Sequence, residues 1–167
     1  RKIMVDFDQR GYSDALLDSM WKQRCALLYK AWVQVRYHRR EQRFFDLMDK
    51  ATRALTVGLA ASMLAMPLIW LPWIAAAILS VGLLALVFGY ADRKQLHQEL
   101  AEQAVGLVAK IEEVEFAKLA PDVVTRWAAL HARFCAKAPP PLKALTLLCE
   151  HEQSVADGFP DHVPSAS

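Results

Sequence analysis

The densest group of chemically capable side chains in this 167-residue sequence is a basic run at positions 36–43. Its candidate ligand-binding residues are Arg36, Tyr37, His38, Arg39, Arg40 and Arg43. On a helix, Arg36, Arg40 and Arg43 form one stripe and Arg39 lies beside it. A guanidinium group is a rigid fork suited to phosphate, and aromatic rings stack on nucleobases. The run therefore predicts a site for a nucleotide or an oligonucleotide, with single-stranded DNA among the candidates.

Residues 54–91 follow this basic run and contain no Asp, Glu, Lys or Arg. A transmembrane helix needs roughly 20 apolar residues to cross about 30 Å of hydrocarbon. Cut near Pro72, the segment predicts two spans, residues 54–70 and 72–90, each about 26 to 28 Å long. Trp70 and Trp73 suit a membrane interface. The sequence therefore predicts a transmembrane helical hairpin; the alternative is an apolar hairpin buried inside a soluble helical bundle.

The distribution of charge predicts the orientation of this hairpin. Lys and Arg close to a span are retained on the cytoplasmic side, and both ends of the segment carry them. Residues 1–53 have 12 Lys and Arg against 7 Asp and Glu, and residues 92–167 have 8 against 11. The residues expected at the cytoplasmic mouth are Lys50, Arg53, Asp92 and Arg93. We expect both termini in the cytoplasm.

Two other interpretations of the basic run stay open. The first is attraction to anionic lipid, although Arg36 would stand about 26 Å from Arg53 on an upright helix, beyond a Debye length of about 8 Å. The second is pairing with the helix that follows the hairpin. If both helices rise equally from the membrane, Arg43 lies beside Glu102 and near Glu99, whereas the other three arginines face no carboxylate.

The rest of the chain predicts an all-α fold. Apolar periodicity and the lack of Gly and Pro predict one long helix before the hairpin and a second after it, up to Pro121. Pro121 and the prolines at 139–141 then delimit two shorter helices. The predicted domains are an N-terminal cytoplasmic helix (1–53), the transmembrane hairpin (54–91), C-terminal cytoplasmic helices (92–158) and a flexible tail (159–167).

Two membrane helices cannot enclose water, so a conducting protein of this kind must assemble into a homo-oligomeric bundle, for which we expect a tetramer. Small residues let helices approach closely in lipid. The candidate pore or helix-packing residues are Gly58, Ser62, Ala65, Ser80, Gly82 and Gly89. No ionisable side chain lies within the spans, which argues against ion-coupled transport.

Other chemistry is sparse. No nucleophile and base, phosphate-binding loop or dinucleotide motif is recognisable, and Cys149 and His151 have no companions at zinc-ligand spacing. We therefore expect no catalytic residue, no metal, no cofactor and no enzyme. His97, His131 and His162 are expected at the surface.

Two stretches resemble a known family. Positions 36–45, RYHRREQRFF, precede a paired span, and PPPLKAL (139–145) with LCEHE (148–152) follow it. This order is similar to that of SLATT-type two-transmembrane effectors of bacterial anti-phage systems. The resemblance implies a pore-forming effector, controlled by a nucleotide product of a partner nucleotidyltransferase. With that resemblance we expect a channel in the bacterial inner membrane, whose opening depolarises the membrane. A phage-type holin and a non-conducting membrane anchor or scaffold remain alternatives.

Overall fold

The computed structural model describes the backbone of residues 2–158 and the side chains of residues 13–158. The predicted flexible tail, residues 159–167, and His162 lie outside the described residues. Five α-helices make up most of the described chain, and no strand occurs between residues 2 and 158. They are α1 (Lys2–Ser62), α2 (Leu71–Phe88), α3 (Tyr90–Glu112), α4 (Pro121–Lys137) and α5 (Lys143–Ala156). The all-α prediction is confirmed.

Proline and glycine set the helix boundaries that matter most. α1 ends at Ser62 and not at residue 70, because Pro67 lacks an N–H and its ring disfavours helical backbone at the preceding residue. Pro72 lies in the first turn of α2, where a missing N–H costs nothing. Gly89 ends α2 with φ of 56°, a left-handed conformation that glycine adopts without a steric penalty.

The chain divides into two compact units. The discontinuous unit comprises Arg1–Tyr37 and Leu100–Ser167, and the central unit comprises His38–Glu99. α1 and α3 each contribute to both units. The central unit therefore contains the apolar segment together with most of the basic run.

The discontinuous unit has a conventional apolar core. Ile111 is fully buried, and it packs in a cluster with Met20, Leu107 and Trp127. A second cluster joins residues from α1, α3 and α4: Val35, Leu100, Ala104 and Phe134. A third brings Val33, Tyr37 and Cys149 of α1 and α5 together. Apolar residues recur with helical periodicity in α1, α3, α4 and α5 because one face of each helix is buried in these clusters.

The apolar segment of the central unit has no such core. One helical segment within Leu68–Glu112 is long and apolar enough to cross a membrane, and none of its apolar window is buried in the protein. None of the residues of α2 is buried. The predicted first span is α-helical only through Ser62, and a short 3-10 helix follows at Leu68–Trp70, so its α-helical part, residues 54–62, rises about 14 Å. The two-span hairpin stays a prediction.

The small residues predicted to line a pore or pack helices have open surroundings in the single chain. A Cβ added at Gly58 or Gly82 would meet no heavy atom within 4 Å. Ser62 and Ser80 donate their hydroxyl protons to carbonyls of their own helices, at 2.8 Å each. Ala65 lies in the turn after α1. These faces are therefore available to a neighbouring molecule.

Candidate anion-binding groove

A polar groove of about 500 Å³ opens on the central unit. Its walls come from two helices. The lining residues are Arg39, Gln42, Arg43 and Asp46 on α1, and Lys94 and Gln98 on α3. The α1 residues follow the spacing i, i+3, i+4, i+7 and the α3 residues the spacing i, i+4, so each set lies on one helix face. Helical periodicity therefore assembles the groove from residues that are well separated in sequence.

The groove has a positive charge. Asp46 accepts hydrogen bonds from Lys50 and Lys94, each at 2.6 Å. These two ammonium groups lower the pKa of the Asp46 carboxyl to about 2. Arg39 and Arg43 are exposed, and neither forms an ion pair with a side chain among residues 13–158. Two guanidinium groups and two amides facing one space suit an anion such as a phosphate.

A buried histidine pair lies next to the groove residues in the central unit. The Nδ1 atoms of His38 and His97 are 2.9 Å apart, and only 1% and 5% of these residues are exposed. The Phe45 ring stacks on the His97 ring, with 5.5 Å between centroids. The Arg93 guanidinium lies 5.9 Å from the centre of the Phe45 ring. The pair joins α1 to α3.

Burial sets the protonation of this pair. Burial, together with the smaller effect of the neighbouring His97, lowers the pKa of His38 to about 4. Burial also lowers the pKa of His97, and the positive charge of Arg93 lowers it as well. Glu41, also buried, has its pKa raised by burial, an effect that Arg93 opposes. Since each Nδ1 atom can either donate or accept, the 2.9 Å contact requires at least one neutral ring.

Two residues of the predicted ligand site belong instead to the discontinuous unit. Arg36 donates from Nε to Oε1 of Gln153 at 2.8 Å, so it does have a partner, which is an amide on α5 and not a carboxylate on α3. The Tyr37 hydroxyl accepts a hydrogen bond from the backbone N–H of Leu142 at 3.0 Å. Both partners come from the C-terminal part of the chain. A prediction that compares only α1 with α3 does not include that part.

The register between α1 and α3 also differs from the prediction. Equal rise from the membrane would place Asp46 opposite Glu99, but Asp46 pairs with Lys94. Phe45 packs near Tyr90, with 6.4 Å between ring centroids. The prediction that Arg43 pairs with Glu102 or Glu99 is therefore not met, and Arg43 opens into the groove.

The predicted site is thus divided. Arg39 and Arg43 come together, His38 is buried, Arg40 is half-buried, and Arg36 and Tyr37 hold the C-terminal part of the discontinuous unit. The expectation that His97 lies at the surface was wrong, and His131 is half-buried. The spacing of His97 from Leu100 and Ala104, three and seven residues, is a signal that could have indicated its burial.

The residues predicted at the cytoplasmic mouth have local partners or are exposed. Lys50 pairs with Asp46, and Arg53 with Asp49 at 2.9 Å. Asp92 is exposed in the first turn of α3, where a carboxylate is favourable. Within the described residues, no group of three His, Cys, Asp or Glu side chains is placed to hold a metal ion.

Comparisons with known proteins add no relative. The chain matches no model of a protein family, no curated protein and no solved structure.

Proposed function

We propose that this protein is a membrane effector of the SLATT type, which inserts an apolar hairpin into the bacterial inner membrane and forms a homo-oligomeric pore. The groove formed by Arg39, Arg43 and Lys94 receives an anionic signal, a nucleotide or an oligonucleotide made by a partner nucleotidyltransferase. Binding changes the positions of α1 and α3, and the pore opens or closes in response. The physiological outcome is depolarisation during phage infection.

The observation that carries the proposal is the exposure of α2. Its 18 residues, Leu71–Phe88, contain no charge and rise about 27 Å, close to the thickness of a bilayer core. Leu79, Leu86 and Val87 are 73%, 79% and 71% exposed. Leaving such a side chain in water costs about 1.5 to 3 kcal/mol each relative to burial. Lipid is the environment in which a helix like this, apolar on every side, is stable.

The pattern of partial burial supports a hairpin. Half-buried residues recur at spacings of three and four on α1 at Thr52, Thr56 and Leu59. The same pattern occurs on α2, at Leu71, Ile74, Ile78, Val81 and Ala85. Both stripes belong to the central unit, so we infer that they face each other. The opposite faces are left for lipid or for neighbouring copies, and Gly58 lies on that of α1 with open space around it.

Membrane insertion is testable by placing a charge at the middle of α2. Leu79→Arg should reduce the fraction of protein that remains in membranes after carbonate extraction, since an arginine at a helix centre costs about 2.5 to 3.5 kcal/mol on insertion. Leu147→Arg, on the exposed face of α5, is the matched control and should leave that fraction unchanged. Equal extraction of both variants would contradict a span formed by α2.

Conduction and gating need a second experiment with purified protein in liposomes. Ion flux is measured with and without a short oligothymidylate as the anionic probe, at two salt concentrations. The pair Arg39→Glu and Arg43→Glu should abolish the response to the probe and reduce the salt dependence of its binding. Lys143→Glu, an exposed charge change at the start of α5, is the control.

The two alternatives give different results in the same assay. A non-conducting anchor or scaffold gives no ion flux with or without the probe. A holin-type protein gives leakage of large solutes that neither the probe nor the charge reversal alters. Either result would overturn the gated-pore proposal.

A further inference from the structure

A second pocket, of about 330 Å³, opens on the discontinuous unit, and no part of the proposed membrane function uses it. α3 and α4 each contribute four residues with the same spacing of i, i+3, i+4 and i+7. They are Gln103, Gly106, Leu107 and Lys110 on α3, and Leu130, Arg133, Phe134 and Lys137 on α4. The volume lies within the range of about 300 to 1,000 Å³ that is typical of small-molecule sites.

The pocket combines an apolar floor with a basic rim. Leu107 and Phe134 are each 7% exposed and are part of the apolar clusters of the unit, so they present a packed apolar surface. Lys110, Arg133 and Lys137 are exposed around it. None of the three forms an ion pair with a side chain among residues 13–158. No carboxylate lines the pocket.

Part of this basic rim has a second explanation. Lys110 and Lys137 lie in the last turns of α3 and α4, where a cation stabilises the helix dipole. Arg133 lies a full turn earlier, so the dipole does not account for it. The convergence of all three on one pocket produces a positive field that selects an anion.

The absence of a side chain at Gly106 leaves part of the pocket open. A glycine inside a helix costs about 1 kcal/mol relative to alanine, and neither backbone geometry nor close packing requires one here. A Cβ at position 106 would meet no heavy atom within 4 Å, and the φ angle is not positive. The missing side chain therefore provides space in the pocket and relieves no clash.

We propose that this pocket binds a small organic phosphate whose phosphate group is carried on a compact aromatic ring. Lys110, Arg133 and Lys137 hold the phosphate by charge-assisted hydrogen bonds. The ring lies on the floor formed by Leu107 and Phe134, in the space that Gly106 leaves open. A bounded volume of this size suits a rigid ring better than a long acyl chain. The proposal is independent of the groove and of membrane conduction.

The test uses the full chain in detergent and 1-naphthyl phosphate as the probe, with binding measured by isothermal titration calorimetry. Inorganic phosphate and 1-naphthol, which represent the anionic half and the aromatic half of the probe, are titrated separately. We expect the intact probe to bind at least roughly ten-fold tighter than either half, since both parts of the pocket are engaged. Inorganic phosphate that binds as tightly as the probe, or a probe that does not bind, would overturn the proposal.

Gly106→Leu tests the position of the ring. The leucine side chain has room to enter the pocket, and leucine is the better helix former, so the melting temperature should not fall. Probe binding should weaken at least roughly ten-fold. Ala109→Leu adds the same side chain at an exposed position of α3 outside the pocket and should bind the probe as the unmodified protein does.

Charge removal provides the second test, which decides the question if Gly106→Leu fails to fold. Arg133→Gln should weaken probe binding roughly ten-fold, because it removes a charge-assisted hydrogen bond. Lys143→Gln removes an exposed cation outside the pocket and should change nothing. Unchanged binding in Arg133→Gln, or an equal loss in both variants, would refute the assignment of the site.

Discussion

Acidification is expected to destabilise the central unit through the His38–His97 pair. Two protonated rings would each carry a proton on Nδ1, and two donors cannot share the 2.9 Å contact. Arg93 on α3 interacts with His97, and it also interacts with the buried Glu41 on α1. The pKa of His38 is lowered to about 4 in the folded state, from 6.5. The unfolded chain therefore binds more protons between these values, and stability falls as the pH falls through this window.

The expected magnitude follows from that shift. A pKa change of about 2.5 units corresponds to about 3 kcal/mol when the pH is below both values. Between pH 7.5 and pH 5, the linkage relation gives about 2 kcal/mol. Glu41 acts in the opposite direction, because an acid with a raised pKa stabilises the folded state at low pH and loses that contribution as the pH rises. This contribution of Glu41 cancels when the unmodified protein is compared with a variant that also retains Glu41.

His38→Gln is that variant, since glutamine retains hydrogen-bonding capacity without titrating in this range. Native-state hydrogen exchange is measured at pH 7.5 and pH 5 and corrected for the intrinsic exchange rates. Protection of the amides around His38 and His97 should fall about 30-fold more in the unmodified protein than in His38→Gln. His151→Gln, an exposed histidine on α5, is the control and should respond as the unmodified protein does. An equal pH response in all three proteins would refute the reasoning.

Three further predictions concern stability, measured as thermal unfolding by circular dichroism. Gly89→Val should cost at least about 1 to 2 kcal/mol because its φ is 56°, and Gly89→Asn should cost less, since asparagine tolerates this conformation; equal costs would contradict the backbone explanation. Tyr37→Phe leaves the N–H of Leu142 without its acceptor and should cost about 1 to 3 kcal/mol; an unchanged melting temperature would show that water replaces the hydroxyl. Ile111→Ala, at a fully buried position, should cost about 2 to 5 kcal/mol, whereas Val155→Ala, at an exposed one, should cost little; similar losses would contradict the assignment of the core.

Local patterns in the sequence predict the helices well. The start of α4 at Pro121 and the break between α4 and α5 at the prolines 139–141 agree with the predicted boundaries. The boundary of the first apolar helix does not agree: the predicted span runs to residue 70, whereas α1 ends at Ser62, ahead of Pro67. Proline constrains the residues before it as well as its own nitrogen.

The candidate site is harder to predict because it depends on the register between distant helices. A helical wheel places Arg36, Arg40 and Arg43 on one stripe, but it cannot show that Arg36 meets Gln153 on α5. It also cannot show that Lys94 contributes to the groove of Arg39 and Arg43. These contacts depend on which distant helices pack together, and a helical wheel of one helix does not contain that information.

The sequence by itself therefore determined the all-α class, the charge-free segment at residues 54–91 and the concentration of arginine before it, because helix propensity, hydropathy and charge are properties of neighbouring residues. Only the tertiary structure decided which cations share a groove, that His38 and His97 are buried together, and that Gly106 opens into a basic pocket. Each of these depends on residues that are 48 or more positions apart or on different helices, as the pairing of Asp46 with Lys94 illustrates. Their proximity is determined by how the helices pack, which local patterns do not encode.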